Sequence, residues 1–483
     1  MRGYPVVTAQ EMARVEALAH SEGIFMENAG LGIAQATENY ILENQLEKRV
    51  SLLVGKGNNG GDAYVAGRKL LERGFVVVAC HSFPVDGCSP LCQKQRGLFE
   101  LAGGKVVQEC QLEGVILDGL VGTGFKGKAE GLLAKLIEQA NGSKLPILAI
   151  DIPSGVNGNT GEVGSVAIQA TQTLFLELPK IGFFVGSGWD HVGELVPVPF
   201  GLPREYRDQA EIVAHLIDEE VVSSLVPPLR RSRHKYEAGY VLAVAGSEGM
   251  MGAACLSSYA ALRAGAGLVR LFYPHACQHV GGPLELIKEP WNGKPQRIVA
   301  EQQRAKSMLI GPGLGRSKAV EKCLSALLPK VSVPALLDAD VLYFLAKNPR
   351  WKLPKHVILT PHHGEMERLL QESVSLAACQ QFVEKKRVTL VLKGAPTLLF
   401  HPGEKPLIIT RGDPGMATAG AGDELSGVIA ALLAQGVEAY SAAALGVYLH
   451  ALAGEMAAFD KTSYSLIASD IIESLPDAFF SVT

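Results

Sequence analysis

The feature that most constrains this chain is a repeated alternation of short apolar runs with helical patterns, joined by turns rich in glycine and aspartate. The apolar runs are Val50–Val54, Phe75–Cys80, Val115–Leu117, Pro146–Ile150, Tyr240–Ala245, Met308–Ile310, Ala335–Leu337, Val357–Leu359 and Thr389–Leu392. A helical pattern over Ala63–Glu72 follows the first run, and Gly74 stands where helices commonly end. Strands that alternate with helices form βαβ units around a mainly parallel sheet. The sequence therefore predicts an α/β protein.

The chain is long enough for more than one hydrophobic core. It has 483 residues, and single cores stop growing well below that size. Pro227 and Pro228 are followed by a basic run from Arg230 to Lys235, which is typical of a junction between domains. The basic run could contact a phosphate, although a solvated linker is the favoured interpretation. We predict two domains, residues 1–215 and residues 225–483.

Composition excludes several classes of protein. Hydrophobic residues make up 47% and charged residues 19%, as in a well-packed soluble protein. The net charge of −4 creates no general attraction for nucleic acid or an anionic membrane. None of the eight cysteines forms a C-x-x-C pair, so neither a zinc site nor a disulfide framework is indicated. We find no apolar leader at the N-terminus and predict that no segment is long enough to span a bilayer, so we expect a cytoplasmic enzyme.

A glycine-rich stretch, Met416–Gly427, precedes a helical pattern in the second half of the chain. Gly420 and Gly422 leave backbone N–H groups uncovered at the start of the helix, where the helix dipole favours an anion. Asp423 stands at the same position and could act on a proton or a metal ion beside a bound phosphate. The alternative is an ordinary turn in which Asp423 caps the helix.

A second glycine-rich turn follows the apolar run that ends at Val54. Residues 55–62 read Gly-Lys-Gly-Asn-Asn-Gly-Gly-Asp and contain the Gly-x-Gly-x-x-Gly pattern of dinucleotide-binding proteins. A nicotinamide dehydrogenase also needs an acidic residue after the next strand to hold the ribose. Cys80 and His81 stand there instead. The amide and carboxylate oxygens of this turn suit phosphate positioning or binding of a hard cation.

Two further apolar runs end in polar residues. Asp118 ends one run and precedes a second glycine-rich loop, while Asp151 and Ser154 follow another run. Each could be ordinary turn chemistry. Ligands of open α/β sheets bind at the carboxyl ends of the strands, so we expect the three polar loops to converge on one site.

The first half resembles the NAD(P)H-hydrate epimerase family. The resemblance rests on residues 26–30, 57–62, 117–118, 122–124 and 151–155 and covers about residues 1–215. It implies a Rossmann-like three-layer sandwich that binds the hydrated nucleotides NADHX and NADPHX, with a potassium ion (K⁺) held by Asn59, Asp118 and Ser154. The residues implied to hold the substrate are Asn58, Asn59, Gly60, Gly61, Asp62, Gly122, Thr123, Gly124, Phe125, Lys126, Gly127, Lys128 and Asp151.

Epimerisation inverts C6, the hydroxyl-bearing carbon of the damaged ring, and needs general acid–base help. We assign that role to Asp151, with Lys126 as a candidate charge partner. Ala63 departs from the family, in which glycine usually follows the aspartate, and its methyl group could tighten the start of the helix.

The second half resembles the ribokinase-like superfamily and, within it, the NAD(P)H-hydrate dehydratase family. The matching segments are residues 246–254, 311–315, 360–365, 393–397 and 415–427, covering about residues 225–483. The resemblance implies dehydration of the hydrate at the expense of ADP or ATP with Mg²⁺. It implies contacts to the adenine nucleotide from Lys393, Gly394, Ala395, Pro396, Thr397 and Gly422, and contacts to the hydrate from Ala253, Gly313, His362 and Asp423.

In this family Asp423 would be the base that takes the proton of the hydroxyl group. His362 could equally be an ordinary polar loop residue. Two residues depart from the usual motif: Ala421 lacks a hydroxyl group, and Glu424 adds a negative charge beside Asp423.

The two resemblances together predict a bifunctional enzyme that repairs hydrated NADH and NADPH, because an epimerase delivers both C6 epimers to a dehydratase specific for one. One alternative is a small-molecule kinase of the hydroxymethylpyrimidine or thiazole type. Another is that the first half only binds a nucleotide without catalysis. The expected partners are small-molecule substrates, with neither nucleic acid nor membrane, and we expect a homo-oligomer.

Overall fold

The computed structural model describes residues 3–81, 83–109, 111–277 and 280–483. The chain divides into two compact units, Pro5–Ala214 and His215–Thr483, with residues 3 and 4 grouped with the second. Seven cysteines fall in the described residues, whereas Cys110 lies outside them. Cys88, Cys92, Cys255, Cys277, Cys323 and Cys379 are free thiols.

The first unit contains a seven-stranded sheet flanked by helices. A short strand, β1 (Tyr4–Val6), comes first in the chain. The strands of the sheet are β2 (Arg49–Val54), β3 (Val76–Cys80), β4 (Lys105–Val107), β5 (Val115–Gly119), β6 (Ile147–Ile150), β7 (Gln172–Leu176) and β8 (Glu194–Val198). Its helices are α1 (Ala9–Leu18), α2 (Glu22–Glu43), α3 (Asn58–Glu72), α4 (Pro90–Leu101), α5 (Gly131–Gly142), α6 (Trp189–Val192) and α7 (Arg204–Arg207). Strand β1 lies where the units divide, outside the seven-stranded sheet.

The strand order of this sheet places a binding site at one edge. The order is β4-β3-β2-β5-β6-β7-β8, and every neighbouring pair is parallel. The carboxyl ends of β2, β5, β6 and β7 therefore share one edge. The order reverses between β2 and β5, and ligands bind at such a switch point in open α/β sheets.

The second unit contains a longer sheet and most of the long helices. Its strands are β9 (Ala214–Leu216), β10 (Tyr240–Val244), β11 (Leu268–Pro274), β12 (Ile287–Trp291), β13 (Ser307–Ile310), β14 (Ala335–Leu337), β15 (Val357–Leu359), β16 (Thr389–Leu392), β17 (Thr397–Phe400) and β18 (Leu407–Ile409). Its helices are α8 (Glu219–Leu225), α9 (Met251–Arg263), α10 (Gln296–Glu301), α11 (Lys318–Leu327), α12 (Asp340–Lys347), α13 (His363–Leu370), α14 (Leu376–Lys386), α15 (Ala421–Ala434), α16 (Ala439–Lys461) and α17 (Ala468–Val482).

The strands of the second unit run in the order β9-β18-β17-β16-β15-β14-β13-β10-β11-β12. All neighbouring pairs are parallel except β16 with β17 and β17 with β18. The loops after β10, β13, β14, β15 and β16 therefore meet at one edge. The α/β class and the mainly parallel sheets predicted from the apolar runs are confirmed.

Two details differ from the expectations. Helix α3 begins at Asn58 rather than at Ala63, so the residues of the predicted loop form its first turns. The expectation that no segment could span a bilayer is also wrong by length and composition. Helix α16 is 23 residues long and apolar enough, but 83% of its most apolar window is buried inside the protein. It is therefore a core helix, and its low polarity reflects burial on all sides.

Candidate active sites

In the first unit, Asp118 at the end of β5 is held in a dense hydrogen-bond network. Its side chain is fully buried. It accepts hydrogen bonds from the backbone N–H of Ser154 at 2.8 Å, the Ser154 hydroxyl at 2.7 Å and the backbone N–H of Leu120 at 3.2 Å. Burial raises the pKa of Asp118 to about 6, although the hydrogen bonds from Ser154 oppose that shift. The structure thus holds a carboxyl group poised to ionise near neutral pH.

Asn59 joins the same cluster through the backbone of Val121. The Asn59 side-chain amide donates to the Val121 carbonyl oxygen at 3.2 Å, and the backbone N–H of Val121 donates to the Ser154 hydroxyl at 3.0 Å. A Cβ atom on Gly122 would lie 3.3 Å from the Asn59 side chain, so this loop packs closely against Asn59. The three polar loops do converge, as the strand-end argument predicted.

Asp151 at the end of β6 has a partner that the sequence argument missed. The Asp151 carboxylate forms a buried ion pair with Lys180 and accepts a 3.0 Å hydrogen bond from the backbone N–H of Leu176. Lys180 is fully buried and also donates to the Leu176 carbonyl oxygen at 2.9 Å. Lys126 is exposed and forms no ion pair in the described part of the chain, so the suggestion that it pairs with Asp151 is wrong. Lys180 follows β7, a strand absent from the predicted set, and that is why it was overlooked.

The residues found in place of a ribose-binding acid have a different role. Nδ1 of His81 lies 2.6 Å from the Tyr64 hydroxyl, and its Nε2 lies 3.3 Å from the Cys88 thiol. On α4, the Cys92 thiol donates to the Gly55 carbonyl oxygen at 3.6 Å. This buried cluster packs beneath the glycine-rich turn and supports it, which agrees with the rejection of a dinucleotide fingerprint.

The remaining predicted substrate residues of the first unit lie on two segments. Gly60, Gly61 and Asp62 are buried in the first turns of α3. Gly124, Lys126, Gly127 and Lys128 lie on an exposed loop after β5, with Thr123 and Phe125 partly buried there. Ala63 is fully buried, and a Cβ atom on Gly119 would lie only 2.7 Å from the Ala63 Cβ. The methyl group of Ala63 therefore fits because residue 119 is glycine.

In the second unit, Asp423 lies in the first turn of α15. Gly420 is the residue that caps this helix, with a φ of +101° that favours glycine. Asp423 is therefore a helical residue rather than the cap, which removes the alternative interpretation of its position. Its side chain makes no hydrogen bond to the described residues. A carboxyl group at a helix N-terminus without an internal partner is free to meet a ligand.

Lys393 and the buried carboxylate of Asp338 form a partly buried ion pair beside α15. The Lys393 Nζ lies 2.9 Å from the Asp338 Oδ1, and the Ser426 hydroxyl donates to the Asp338 Oδ2 at 2.6 Å. A Cβ atom on Gly422 would lie 3.3 Å from the Lys393 Nζ, so the ammonium group lies against the start of the helix. This arrangement places a cation and helix N–H groups together, which favours an anionic ligand.

The charges around Asp423 change its acidity. Burial raises the pKa of Asp423 to about 7, and the nearby carboxylates of Asp338, Asp340 and Glu365 contribute, while Lys393 opposes the shift. A carboxyl group with a pKa near neutral pH is matched to the task of a general base.

Two glycine-rich loops of the second unit are joined directly. The backbone N–H of Gly246 donates to the Pro312 carbonyl oxygen at 2.8 Å, and the Ser247 hydroxyl donates to the Gly313 carbonyl oxygen at 2.7 Å. A Cβ atom on Gly313 would lie 3.2 Å from the Ala253 Cβ. The predicted substrate residues Ala253 and Gly313 are therefore neighbours.

His362 and the segment after Lys393 lie at the same edge of the sheet. His362 caps α13: its Nδ1 accepts from the backbone N–H of Gly364 at 3.1 Å, and its ring is exposed. The backbone of His362 forms an isolated parallel β-bridge with the backbone of Lys393. Gly394, Ala395, Pro396 and Thr397 follow as a turn closed by a 3.0 Å hydrogen bond from the Thr397 hydroxyl to the Gly394 carbonyl oxygen.

Glu424 does not add the negative charge that its sequence position suggested. Its side chain is fully buried, and burial, together with the charge of Asp423, raises the pKa of Glu424 to about 9. Its Oε2 lies 3.6 Å from Nε2 of His450. The group is therefore a neutral carboxylic acid at pH 7, because an unpaired buried charge would cost too much.

The fold of the second unit, together with the residues in the loops that follow its parallel strands, defines this unit as a member of the ribokinase-like class. A solved ribokinase-like superfamily protein from Enterococcus faecalis matches with a TM-score of 0.51 and 27% identity, covering 56% of this chain and 96% of that chain. A family profile described as NAD(P)H-hydrate dehydratase matches residues 241–477, and one described as YjeF-related protein N-terminus matches residues 22–182.

Curated relatives extend over almost the whole chain. The bifunctional NAD(P)H-hydrate repair enzyme of Moorella thermoacetica is 36% identical, covering 98% of this chain and 96% of the relative. That of Dictyoglomus turgidum is 33% identical, covering 99% and 98%. The chain belongs to the family of bifunctional NAD(P)H-hydrate repair enzymes. The resemblance predicted from the motifs is confirmed, and the relatives favour it over the kinase alternative.

Proposed function

We propose that the first unit interconverts the two C6 epimers of NADHX and NADPHX, and that the second unit dehydrates the S epimer to NADH or NADPH at the expense of ADP or ATP. The observation that carries the proposal is the placement of Asp423. It is a half-buried carboxyl group at the start of α15 that makes no hydrogen bond to the described residues and lies beside the ammonium group of Lys393.

In the second unit, Lys393–Thr397 and Gly422 bind the nucleotide, and its phosphates lie at the start of α15. Ala253, Gly313 and His362 position the hydrate. Asp423 takes the proton of the C6 hydroxyl group, and the oxygen accepts a phosphoryl group from the nucleotide. The C6–O bond then breaks with its electron pair leaving on phosphate, and a proton leaves C5 to restore the C5=C6 double bond. Phosphate is a much better leaving group than hydroxide, and fixed donors at the helix start stabilise the charge that develops.

The residues of this site fit Mg²⁺ only as a companion of the nucleotide. Both oxygens of Asp338 and both oxygens of Asp340 already accept hydrogen bonds from protein groups. Asp423, whose side chain makes no hydrogen bond to the described residues, is the carboxylate that would face a phosphate-bound cation. When bound, Mg²⁺ neutralises the negative charge of the phosphates.

In the first unit, Asn59, Asp118 and Ser154 fit a potassium ion. These three side chains offer oxygen atoms within one buried cluster that includes the Val121 backbone, and oxygen ligands suit hard cations. When bound, K⁺ supplies a fixed positive charge for the anionic substrate. Residues 58–62 and 122–128 hold the nucleotide, and Asp151, oriented by Lys180, exchanges protons with the C6 hydroxyl group.

One experiment tests both activities in the full-length protein. Purified protein receives a mixture of both hydrate epimers, first with ADP and then with ATP. Complete recovery of the near-ultraviolet absorbance of reduced nicotinamide with one nucleotide is the expected result. Recovery that stops when only the S epimer is consumed would refute the epimerase assignment. A stable phosphorylated product would refute the dehydratase assignment. The cytoplasmic location and the homo-oligomeric state stay predictions.

A further inference from the structure

Glu16 lies on α1, distant in sequence from every segment predicted to bind substrate, but it faces the same cavity as two of those residues. The residues that line a cavity in the first unit include Glu16, Glu22, Met26, Asn58, Asp62 and Phe200. Asn58 and Asp62 belong to the first turns of α3. The carboxyl group of Glu16 therefore borders the space in which the proposed function places the damaged ring.

The carboxyl groups of Glu16 and Asp62 have no partner that would explain them structurally. In the described residues, neither side chain makes a hydrogen bond or an ion pair. Asp151, in contrast, is paired with Lys180. Carboxyl groups that face a cavity without an internal partner are available to a ligand.

Glu16 and Asp151 differ in their burial and in their charged partners. Lys180 is a single buried cation, and Asp151 holds it in a direct ion pair. Burial, followed by repulsion from Asp151, raises the pKa of Glu16 to about 7. Glu177 and Glu22 act in the same direction and Lys180 opposes them. Burial, followed by repulsion from Asp151 and from Glu16, raises the pKa of Asp62 well above its usual value. A carboxyl group that is harder to ionise than usual, Glu16, therefore faces the cavity close to the ion-paired carboxylate of Asp151.

We propose that Glu16 is a second catalytic residue of the epimerase, the acid that protonates the C6 hydroxyl group while Asp151 is the base for the water that returns. The inference rests on the proposed function of the first unit. A reversible inversion needs two groups of opposite protonation state, and each takes the other's role in the reverse direction.

The step balances without an oxidant, a reductant or a further reactant. The proton of Glu16 moves to the C6 hydroxyl oxygen, the C6–O bond breaks, and its electron pair leaves with water. The lone pair of the ring nitrogen N1 forms a double bond to C6. Water then adds to the opposite face of C6, the π electrons return to N1, and Asp151 takes the proton. One water is released and one is consumed.

The test compares full-length wild-type protein with Glu16→Gln, starting from one purified epimer without nucleotide, so that dehydration cannot occur. Chromatography follows the approach to the epimer mixture. We expect kcat of Glu16→Gln to fall by about 10²–10⁴-fold with little change in KM. The kcat of Glu16→Asp should lie between those of wild type and Glu16→Gln. Wild-type kcat should decrease as the pH rises past about 7, and Glu16→Gln should lack that decrease. Glu43→Gln, an exposed change in α2, should behave as wild type.

The outcomes separate the inference from the proposed function. If Glu16→Gln keeps the wild-type rate and pH profile while wild type equilibrates the epimers, the role of Glu16 is refuted and the epimerase assignment stands. If wild type itself leaves the epimer unchanged, both are refuted. Fluorescence of Trp189, the tryptophan of the first unit, reports whether Glu16→Gln is folded when Trp291 and Trp351 are replaced by phenylalanine. If the variant is not folded, the wild-type protein still tests the inference. A wild-type kcat that does not decrease above neutral pH would overturn it.

Discussion

Glu424 on α15 and His450 on α16 face each other in the core of the second unit, with 3.6 Å between Oε2 of the glutamate and Nε2 of the histidine. Neither carboxyl oxygen of Glu424 has a hydrogen-bond partner in the described residues, and neither does Nε2 of His450. Burial lowers the pKa of His450 to about 4 and raises that of Glu424 to about 9. Both groups are therefore neutral at pH 7, and a small rotation would let the carboxylic acid donate to the imidazole.

Because Glu424 is neutral in the folded state, it makes the stability of the second unit pH-dependent. Its folded pKa lies above the unfolded value, so its favourable contribution is complete below about pH 4.5 and is lost as the pH rises towards about 9. Glu424→Gln removes this ionisation and keeps a donor for His450. We expect the variant to be more stable than wild type by roughly 1–4 kcal/mol at pH 8, and about equal at pH 4.5.

Urea unfolding can measure this difference in a Trp189→Phe background, where fluorescence comes from Trp291 and Trp351 of the second unit. Glu285→Gln, an exposed change, should leave the free energy of unfolding unchanged at both pH values. An equal loss of stability for Glu424→Gln at pH 4.5 and pH 8 would contradict the neutral state of Glu424.

Asp423→Asn should abolish dehydration and leave epimerisation intact. The change removes the base but preserves size, and loss of a general base costs about 10²–10⁴-fold in rate. In wild type, the base must be ionised, so kcat/KM for dehydration should fall as the pH decreases through about 7. Dehydration with ADP and epimerisation without nucleotide are measured on the same preparation. Equal losses in both activities would indicate a general folding defect, and a wild-type rate of dehydration would exclude Asp423 as the base.

Asp118→Asn should weaken activation of the epimerase by K⁺. The buried carboxylate is the one formal charge among the three proposed ligands, and its ionised form attracts the cation. Burial raises the pKa of Asp118 to about 6, so K⁺ affinity in wild type should also fall as the pH drops below 6. Epimerisation is measured against K⁺ concentration at constant ionic strength. Ser165→Ala, which removes a hydroxyl group outside the cluster, is the matched control. An unchanged K⁺ dependence in Asp118→Asn would place the ion elsewhere.

The strands and the polar residues that follow them could be predicted from the sequence, because parallel strands bring their carboxyl ends together. Asp118, Ser154 and Asn59 converge for this reason. The partner of Asp151 could not be predicted in the same way. Lys180 follows β7, whose sequence Gln-Thr-Leu-Phe-Leu is too short and mixed to stand out. Once a strand is missed, the residues at its end are missed with it.

The burial of single charged residues also could not be predicted from the sequence. A glutamate beside Asp423 reads as an added negative charge, but the packing of α16 over α15 makes Glu424 neutral. Likewise, Glu16 is one of several acidic residues near the start of the chain, and no local pattern separates it from exposed neighbours. Such protonation states depend on contacts between helices, which no short window of sequence contains.

Gly119→Ala should destabilise the first unit, because Ala63 already fills the space beside it. A Cβ atom at residue 119 would lie 2.7 Å from the Ala63 Cβ, 2.9 Å from the Asn59 carbonyl oxygen and 3.2 Å from the Leu53 carbonyl oxygen. Overpacking of this kind costs about 1–3 kcal/mol. The displaced Asn59 carbonyl lies next to the proposed cation cluster, so K⁺ affinity should fall as well.

A second substitution separates the two clashes in a double-mutant cycle. Ala63→Gly removes the methyl group but leaves the Asn59 backbone in place, so it should restore only part of the stability lost in Gly119→Ala. Unfolding is followed by Trp189 fluorescence after Trp291 and Trp351 are replaced by phenylalanine. Ala63→Gly alone should lose stability, since a glycine inside a helix costs about 1 kcal/mol. Strictly additive effects of the two substitutions would show that the side chains do not compete for this space.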